Sequence, residues 1–177
     1  RTSLDRVLVL ARKGEKLILH RDELNELWEL PEKRLVRGGS EDETARAALG
    51  EALHDAGIPR EDVFLISKIN NDSQWYAPAL ASIRETLRKM QTPYLDSFLI
   101  HWPGQNPERT LDTWRALETA YREGLVRSIG VSNFEIPHLK HLLDHCEIPP
   151  MIDQIEFHPG YNQLTNVKYC QEIGMTV

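Results

Sequence analysis

The sequence predicts an α/β fold in which the strands of a parallel sheet alternate with helices. Four short apolar segments recur along the chain, at 63–67, 97–101, 128–132 and 152–157. Each of them is followed by a stretch with helical periodicity. The segments are almost continuously apolar, as are strands buried on both faces of a parallel sheet. A β-sandwich fits poorly, because the connections between the segments are too long and too helical.

The first 38 residues lack the alternation of strands and helices and predict a β-hairpin segment. A strand, a turn, a returning strand and a short extended piece are predicted at 6–12, 13–15, 16–21 and 27–31. Ser40 is a candidate N-cap, and the acidic residues after it favour a helix that ends at Gly57. We therefore divide the chain into an N-terminal segment of residues 1–38 and an α/β part of residues 39–177.

The α/β part alternates regularly up to its last residue. Helices are predicted after the four strands, at 76–90, 110–123, 137–145 and 166–173. Residues 175–177 predict the beginning of another strand. A complete eight-unit barrel needs about 250 residues. A chain of 177 residues therefore predicts only part of such a barrel.

Polar residues lie at the carboxyl end of each predicted strand. Lys68 follows the first strand and His101 ends the second. Ser132 ends the third strand, and Gln154 lies in the fourth. In folds of parallel strands the residues at these ends form the rim of the active site. For either residue considered alone, an ordinary structural role is the simpler interpretation: an exposed lysine at a strand end for Lys68, and a hydrogen-bonded core histidine for His101. Their positions on successive strands favour a shared site instead.

Residues 39–177 resemble the aldo-keto reductases. The resemblance rests on four motifs that follow one another in the family's order, at 57–64, 94–103, 130–134 and 154–159. It implies a partial TIM (β/α)8 barrel and an oxidoreductase that reduces aldehydes or ketones with NADPH. The implied ligands are the cofactor NADP and a small carbonyl substrate.

The resemblance also implies roles for individual residues. Lys68 matches the family's catalytic lysine, which lowers the pKa of a tyrosine that acts as the proton donor. His101 matches the catalytic histidine, which orients the carbonyl oxygen. Trp102 matches a wall of the substrate pocket.

Three residues match the family's hydrogen-bonding partners of the nicotinamide carboxamide: Ser132, Asn133 and Gln154. A turn or a helix cap is the plainer interpretation of Ser132 and Asn133. No metal ligand is implied.

The chain departs from the family's pattern before the first helix of the α/β part. The family's catalytic aspartate and tyrosine should lie there, and residues 35–39 contain neither. Loss of the proton donor alone costs orders of magnitude in rate. We therefore expect activity and NADP binding to be weak or lost in this chain. The family's remaining cofactor-binding segments are expected after Val177.

Residues 1–58 resemble a degenerate Nudix domain. Glu51 remains from the run of carboxylates that binds magnesium in that family, and Asp55 is a substitute for another. Gly50 and His54 replace the expected arginine and glutamate. Two alternative functions follow: a Nudix hydrolase remnant, or a non-catalytic structural subunit of a larger assembly such as the mitochondrial ribosome. A protein partner or a second copy would then cover open sheet edges.

Composition and charge restrict the function further. The formal net charge of −6 argues against direct binding to nucleic acid. No apolar run reaches the roughly 18 residues of a membrane span. We expect a cytoplasmic protein, or a mitochondrial one under the structural-subunit alternative. His138, His141 and His145 fall near one face of a predicted helix, where a solvated surface is favoured over a metal site.

Overall fold

The structure is a computed structural model that describes residues 9–13, 16–18, 49–50, 53–55, 57 and 59–177. The strands of this part are β1 (Val9–Lys13), β2 (Lys16–Ile18), β3 (Val63–Ile69), β4 (Ser97–Ile100), β5 (Ile129–Ser132) and β6 (Ile152–Gln154). They form one sheet in the order β2-β1-β3-β4-β5-β6. Strands β3 to β6 are parallel neighbours, which confirms the predicted α/β fold and its partial barrel.

Helices separate the parallel strands. They are α1 (Tyr76–Lys89), α2 (Pro107–Arg122), α3 (Ile136–Leu143) and α4 (Leu164–Glu172). Short 3-10 turns cover Arg60–Asp62 and Asn71–Ser73. Within the described residues, no helix is long and apolar enough to cross a bilayer.

Several predicted boundaries differ by a few residues, and β3 continues to Ile69, so Lys68 lies inside this strand rather than after it. Two of the differences have identifiable reasons. Helix α2 begins at Pro107 because Asn106 accepts the Glu108 N–H at 2.9 Å and proline suits the first helical position. Strand β6 ends at Gln154, three residues early. The chain turns there into a tight loop in which His158 and Tyr161 pair with each other, and Phe157 is left 55% exposed.

The hydrophobic core lies between the parallel strands and the helices. Alternate strand residues such as Leu65, Phe98 and Val131 contribute to it and are at most 1% exposed. From the helices, Ile83 and Trp114 reach the same core. Burial of these side chains is the main stabilising contribution to the sheet. It also commits one face of each strand to the helices and leaves the other face for the interior of the barrel.

The predicted hairpin is confirmed in its described backbone. Strand β1 pairs antiparallel with β2, with Ala11 opposite Ile18. It also pairs antiparallel with β3, with Val9 opposite Leu65. The hairpin thus adds to the sheet on the side of β3 away from β4.

The helix predicted after Ser40 is represented by helical backbone at 49–50 and 53–55. Residues 27–31, residues 35–39 and Glu51 lie outside the described residues. The domain division at residue 39 stays a prediction.

An arginine–carboxylate cluster holds the amino-terminal edge of the sheet. Arg60 donates to the Asp96 carboxylate at 2.7 Å, and the same carboxylate oxygen accepts the Leu65 N–H at 2.8 Å. The guanidinium groups of Arg60 and Arg127 stack on the ring of Tyr94, 3.9 and 3.6 Å from its centroid. Charge-assisted hydrogen bonds and cation–π contacts therefore join the starts of β3, β4 and β5.

Candidate active site

The register of the parallel strands decides which side chains share a face. Lys68 lies opposite Leu99, Leu99 opposite Gly130, and Gly130 opposite Ile152. Residues paired in a parallel ladder project to the same side of the sheet, as do residues two positions apart along a strand. Lys68 therefore belongs to the face that is turned away from the helices.

The other predicted site residues follow by the same alternation. His101 comes two positions after Leu99, and its N–H donates to the Ile69 carbonyl at 3.2 Å, which continues the ladder. Ser132 lies opposite Gln154 on β6. The structure thus brings Lys68, His101, Ser132 and Gln154 to one face at the carboxyl edge of four adjacent strands.

Hydrogen bonds centred on Asn133 join three of these strand ends. The Asn133 side-chain N–H donates to the His101 carbonyl at 3.0 Å and to Ser132 Oγ at 3.1 Å. Both the Asn133 backbone N–H, at 3.0 Å, and the Ser132 hydroxyl, at 2.8 Å, donate to the Gln154 carbonyl. Asn133 has a φ of 61°, a left-handed conformation that asparagine tolerates better than most residues. The rim is therefore a fixed arrangement of backbone and side chains.

The floor beneath this rim is closely packed. Leu99 is fully buried on the rim's face, and it lies beside Gly130. A Cβ atom at Gly130 would lie 2.5 Å from the Ile152 carbonyl oxygen and 2.8 Å from Leu99 Cδ2. Glycine is needed at this position because the neighbouring backbone cannot move aside.

Trp102 lies at the mouth of the site. Its side chain is 48% exposed, and its ring centroid is 6.1 Å from that of His101. The Trp102 carbonyl accepts a hydrogen bond from the side-chain amide of Gln74 at 2.9 Å. Sequence periodicity does not mark Gln74, because it lies in an irregular loop. Its only sequence signal was its place in the short connection between the strand that carries Lys68 and the helix predicted at 76–90.

The hydrogen-bond donors and acceptors of the rim residues complement those of a nicotinamide carboxamide. A carboxamide offers two N–H donors and one carbonyl acceptor, and side-chain amides and hydroxyls complement both. Ser132 and Asn133 already bond to their neighbours, which orients them. Among the described residues, the Gln154 side-chain amide has no hydrogen-bond partner, so it retains a donor and an acceptor for a ligand.

The opposite face carries a buried carboxyl group that does not belong to the rim. Asp153 projects toward α4, is fully buried, and lies 3.9 Å from Cys170 Sγ. Burial raises the pKa of Asp153 to about 7. Burial and the neighbouring carboxyl group raise the pKa of the Cys170 thiol to about 11. Such shifts are common at functional sites, but the alternation of β6 directs Asp153 away from Gln154.

His138 and His141 lie in α3 and His145 follows its end, with the rings of His141 and His145 4.6 Å apart. His138 Nδ1 accepts the Glu135 N–H at 3.1 Å as part of a capping box. His145 Nδ1 lies 2.8 Å from the His141 carbonyl. Across the described ranges, no group of three or more histidine, cysteine or acidic side chains is arranged to hold a metal ion.

Comparison with known proteins places this geometry in a family. The model of the aldo/keto reductase family matches residues 41–177. The chain belongs to the aldo/keto reductase family. The family's parallel (β/α) architecture agrees with the order of β3 to β6, so the recognition drawn from the sequence motifs is confirmed.

Among characterised relatives, glyoxal reductase from Bacillus subtilis is 44% identical over 127 residues. That alignment covers 72% of this chain and 45% of the relative. The chain thus spans about half the length of the family members it matches.

Two solved structures show the same fold. An aldo/keto reductase from Brucella melitensis superposes with a TM-score of 0.72 at 35% identity, over 73% of this chain and 51% of the other. A Bombyx mori aldo-keto reductase solved in complex with NADP gives a TM-score of 0.68 at 32% identity, over 75% of this chain and 47% of the other.

Proposed function

We propose that this chain carries the carbonyl-binding and nicotinamide-binding strand ends of an NADPH-dependent aldehyde or ketone reductase. The observation that carries the proposal is the placement of Lys68 and His101 on one face and at one edge of adjacent parallel strands. The rim residues Ser132, Asn133 and Gln154 extend the same edge.

In the proposed reaction, the side chains of this chain orient the substrate and stabilise charge. The imidazole of His101 donates a hydrogen bond to the carbonyl oxygen, where negative charge develops. The ammonium of Lys68 supplies positive potential beside it. Ser132, Asn133 and Gln154 hold the carboxamide of the nicotinamide. NADPH, when bound, supplies the hydride.

The proposed rate is low. The general acid and its aspartate partner are missing from residues 35–39, where the family's pattern places them. Loss of a general acid lowers the rate by about 10²–10⁴-fold. The proposed NADPH affinity is likewise weak.

The proposed substrates are small carbonyl compounds. Glyoxal is a fitting probe because the similar Bacillus subtilis protein is a glyoxal reductase. Trp102 at the mouth offers an apolar wall for the carbon skeleton of the substrate, and His101 beside it offers a polar partner for the carbonyl oxygen.

The test is glyoxal-dependent oxidation of NADPH, followed by absorbance and run beside the Bacillus subtilis glyoxal reductase. We expect turnover about 10²–10⁴-fold slower than that of the relative, and further loss in Lys68→Met and His101→Phe. Turnover equal to that of the relative contradicts the proposed impairment. Glyoxal-independent oxidation, or activity unchanged in both variants, contradicts the proposed site.

The alternative is a non-catalytic structural subunit, with a mitochondrial rather than cytoplasmic location. The absence of the acid from 35–39 supports it, and a partner chain or a second copy would then cover an open sheet edge. Size-exclusion chromatography distinguishes the structural subunit from the reductase: a monomer with a cooperative melt contradicts the structural subunit.

The other alternative is a Nudix hydrolase remnant. It predicts magnesium-dependent release of phosphate from a nucleoside diphosphate derivative, and no release contradicts it.

A further inference from the structure

We propose that Gln74 is a positioning residue that fixes Trp102 at the mouth of the candidate active site and so sets the size of carbonyl substrate that the site admits. The inference rests on the proposed function in so far as Trp102 borders the carbonyl site. Its basis is a buried amide in the loop after β3 that bonds to the backbone of the loop after β4.

Gln74 is polar and almost completely buried. Only 1% of it is exposed. Its side-chain nitrogen donates to the Trp102 carbonyl at 2.9 Å and lies 3.4 Å from Asn71 Oδ1. A buried amide costs free energy unless its hydrogen bonds are made. The bond to Trp102 is therefore the contact that ties the two loops together.

The turn of residues 102–104 is held from its other side as well. The Gly104 N–H donates to Thr110 Oγ1 at 3.0 Å. A Cβ atom at Gly104 would lie 3.0 Å from Gln74 Oε1 and 3.1 Å from Thr110 Oγ1. The turn thus fits closely between Gln74 and the first turn of α2, and an added methyl group would have to displace one of these neighbours.

A hydrogen bond to the Trp102 carbonyl restricts the backbone at Trp102 and therefore the position of its indole ring. Pro103 follows it, and a residue before proline is confined to extended conformations. The hydrogen bond from Gln74 fixes the remaining rotation of that peptide plane. Because Trp102 is half-exposed, packing against other side chains holds the ring only in part. The backbone anchor therefore decides how far the ring extends over His101.

Release of this anchor should change substrate size selectivity. With the ring held, small dicarbonyl compounds reach His101 and bulky aromatic aldehydes are hindered. With the ring free to swing, the hindrance falls. The ratio of kcat/KM for glyoxal to that for a bulky aromatic aldehyde should fall by about tenfold, the usual effect of one hydrogen bond.

The experiment combines this ratio with a signal that needs no turnover. The chain is labelled with 5-fluorotryptophan, and the ¹⁹F resonance of Trp102 is assigned by its loss in Trp102→Phe. Gln74→Met keeps the side-chain volume and removes the donor. Gly104→Ala displaces the same turn with Gln74 intact, so the test survives if Gln74→Met does not fold.

Thr113→Val is the matched control. The buried Thr113 hydroxyl accepts the Trp75 N–H at 2.8 Å, so its removal breaks a comparable bond between the same loop and α2 without touching Trp102. We expect the Trp102 resonance to shift or broaden in Gln74→Met and Gly104→Ala and to stay in place in Thr113→Val.

An unmoved Trp102 resonance in both Gln74→Met and Gly104→Ala overturns the positioning role. A moved resonance with an unchanged ratio of the two aldehydes overturns the link to selectivity. If the wild-type chain reduces neither aldehyde, the proposed function fails, while the ¹⁹F signal still decides whether Gln74 positions Trp102.

Discussion

At the scale of single residues, Trp75 has an unusual backbone conformation. It precedes α1 with φ 88° and ψ 155°, a region that is essentially restricted to glycine. The conformation is imposed from outside, since the N–H groups of Trp75 and Tyr76 donate to Thr113 and Asp112 of α2, each at 2.8 Å. These hydrogen bonds offset the steric strain that a residue with a Cβ atom has in this conformation.

Trp75→Gly should therefore stabilise the fold, because glycine adopts this conformation without strain. We expect the free energy of unfolding to rise by about 1 kcal/mol, measured by urea denaturation. Trp75→Ala is the control, since it removes the indole but keeps the Cβ. Equal effects of the two substitutions would show that the backbone is not strained.

Asp153 predicts a pH dependence of stability. Burial raises its pKa to about 7 in the folded protein, from an ordinary value of 3.8. Between these values the unfolded chain releases the proton and the folded chain retains it. Stability should therefore fall as pH rises from about 4 to about 7 and level off above, with a slope of at most about 1.4 kcal/mol per pH unit.

Asp153→Asn removes the titrating group and keeps the shape. It should be more stable than the wild type above pH 7 and should lose that advantage near pH 4, as measured by urea denaturation across this range. Asp144→Asn changes an exposed carboxylate instead and should leave the slope unchanged. A wild-type slope that survives in Asp153→Asn would rule out this assignment.

At the scale of elements, the cluster at the amino edge joins three strands, and its central ion pair is largely shielded from water. The side chains of Arg60 and Asp96 are 17% and 9% exposed. By contrast, Arg84 and Glu123 pair at 3.1 Å with side chains 57% and 43% exposed. Partners shielded from water interact more strongly than exposed ones, and loss of one partner leaves the other charge uncompensated.

Arg60→Met should lower the free energy of unfolding by about 2–3 kcal/mol. Arg84→Met should lower it by less than about 1 kcal/mol. Both are measured by urea denaturation at neutral pH. Similar losses in the two variants would contradict a structural role for the cluster.

The helices and parallel strands were largely predictable because each carries its own local signal. The apolar runs of β3 to β6 and the periodicity of α1 to α4 locate them to within a few residues. The end of β6 was not predictable, since Ile155 and Phe157 continue the apolar alternation of Ile152 while the backbone turns after Gln154. The conformation of Trp75 gave no sequence signal either, because contacts with α2 impose it.

At the scale of the whole molecule, the candidate site depends on register between strands. A sequence shows that Lys68 and His101 end successive strands, and parallel pairing then places them at one edge. It does not show Gln74 bonded to the Trp102 carbonyl, since that contact joins two loops. Nor does it show that β1 runs antiparallel beside β3. Those features arise only when separate elements pack together.

The central claim is that the carboxyl edge of β3 to β6 binds the nicotinamide. It is tested most directly by two-dimensional NMR of the ¹⁵N-labelled chain during addition of NADPH, which detects weak binding without turnover. We predict that the side-chain amide signals of Asn133 and Gln154 shift, and that the backbone amide of Leu65 near the amino edge does not. Shifts confined to the amino edge, or no shift at any site at millimolar NADPH, would contradict the claim.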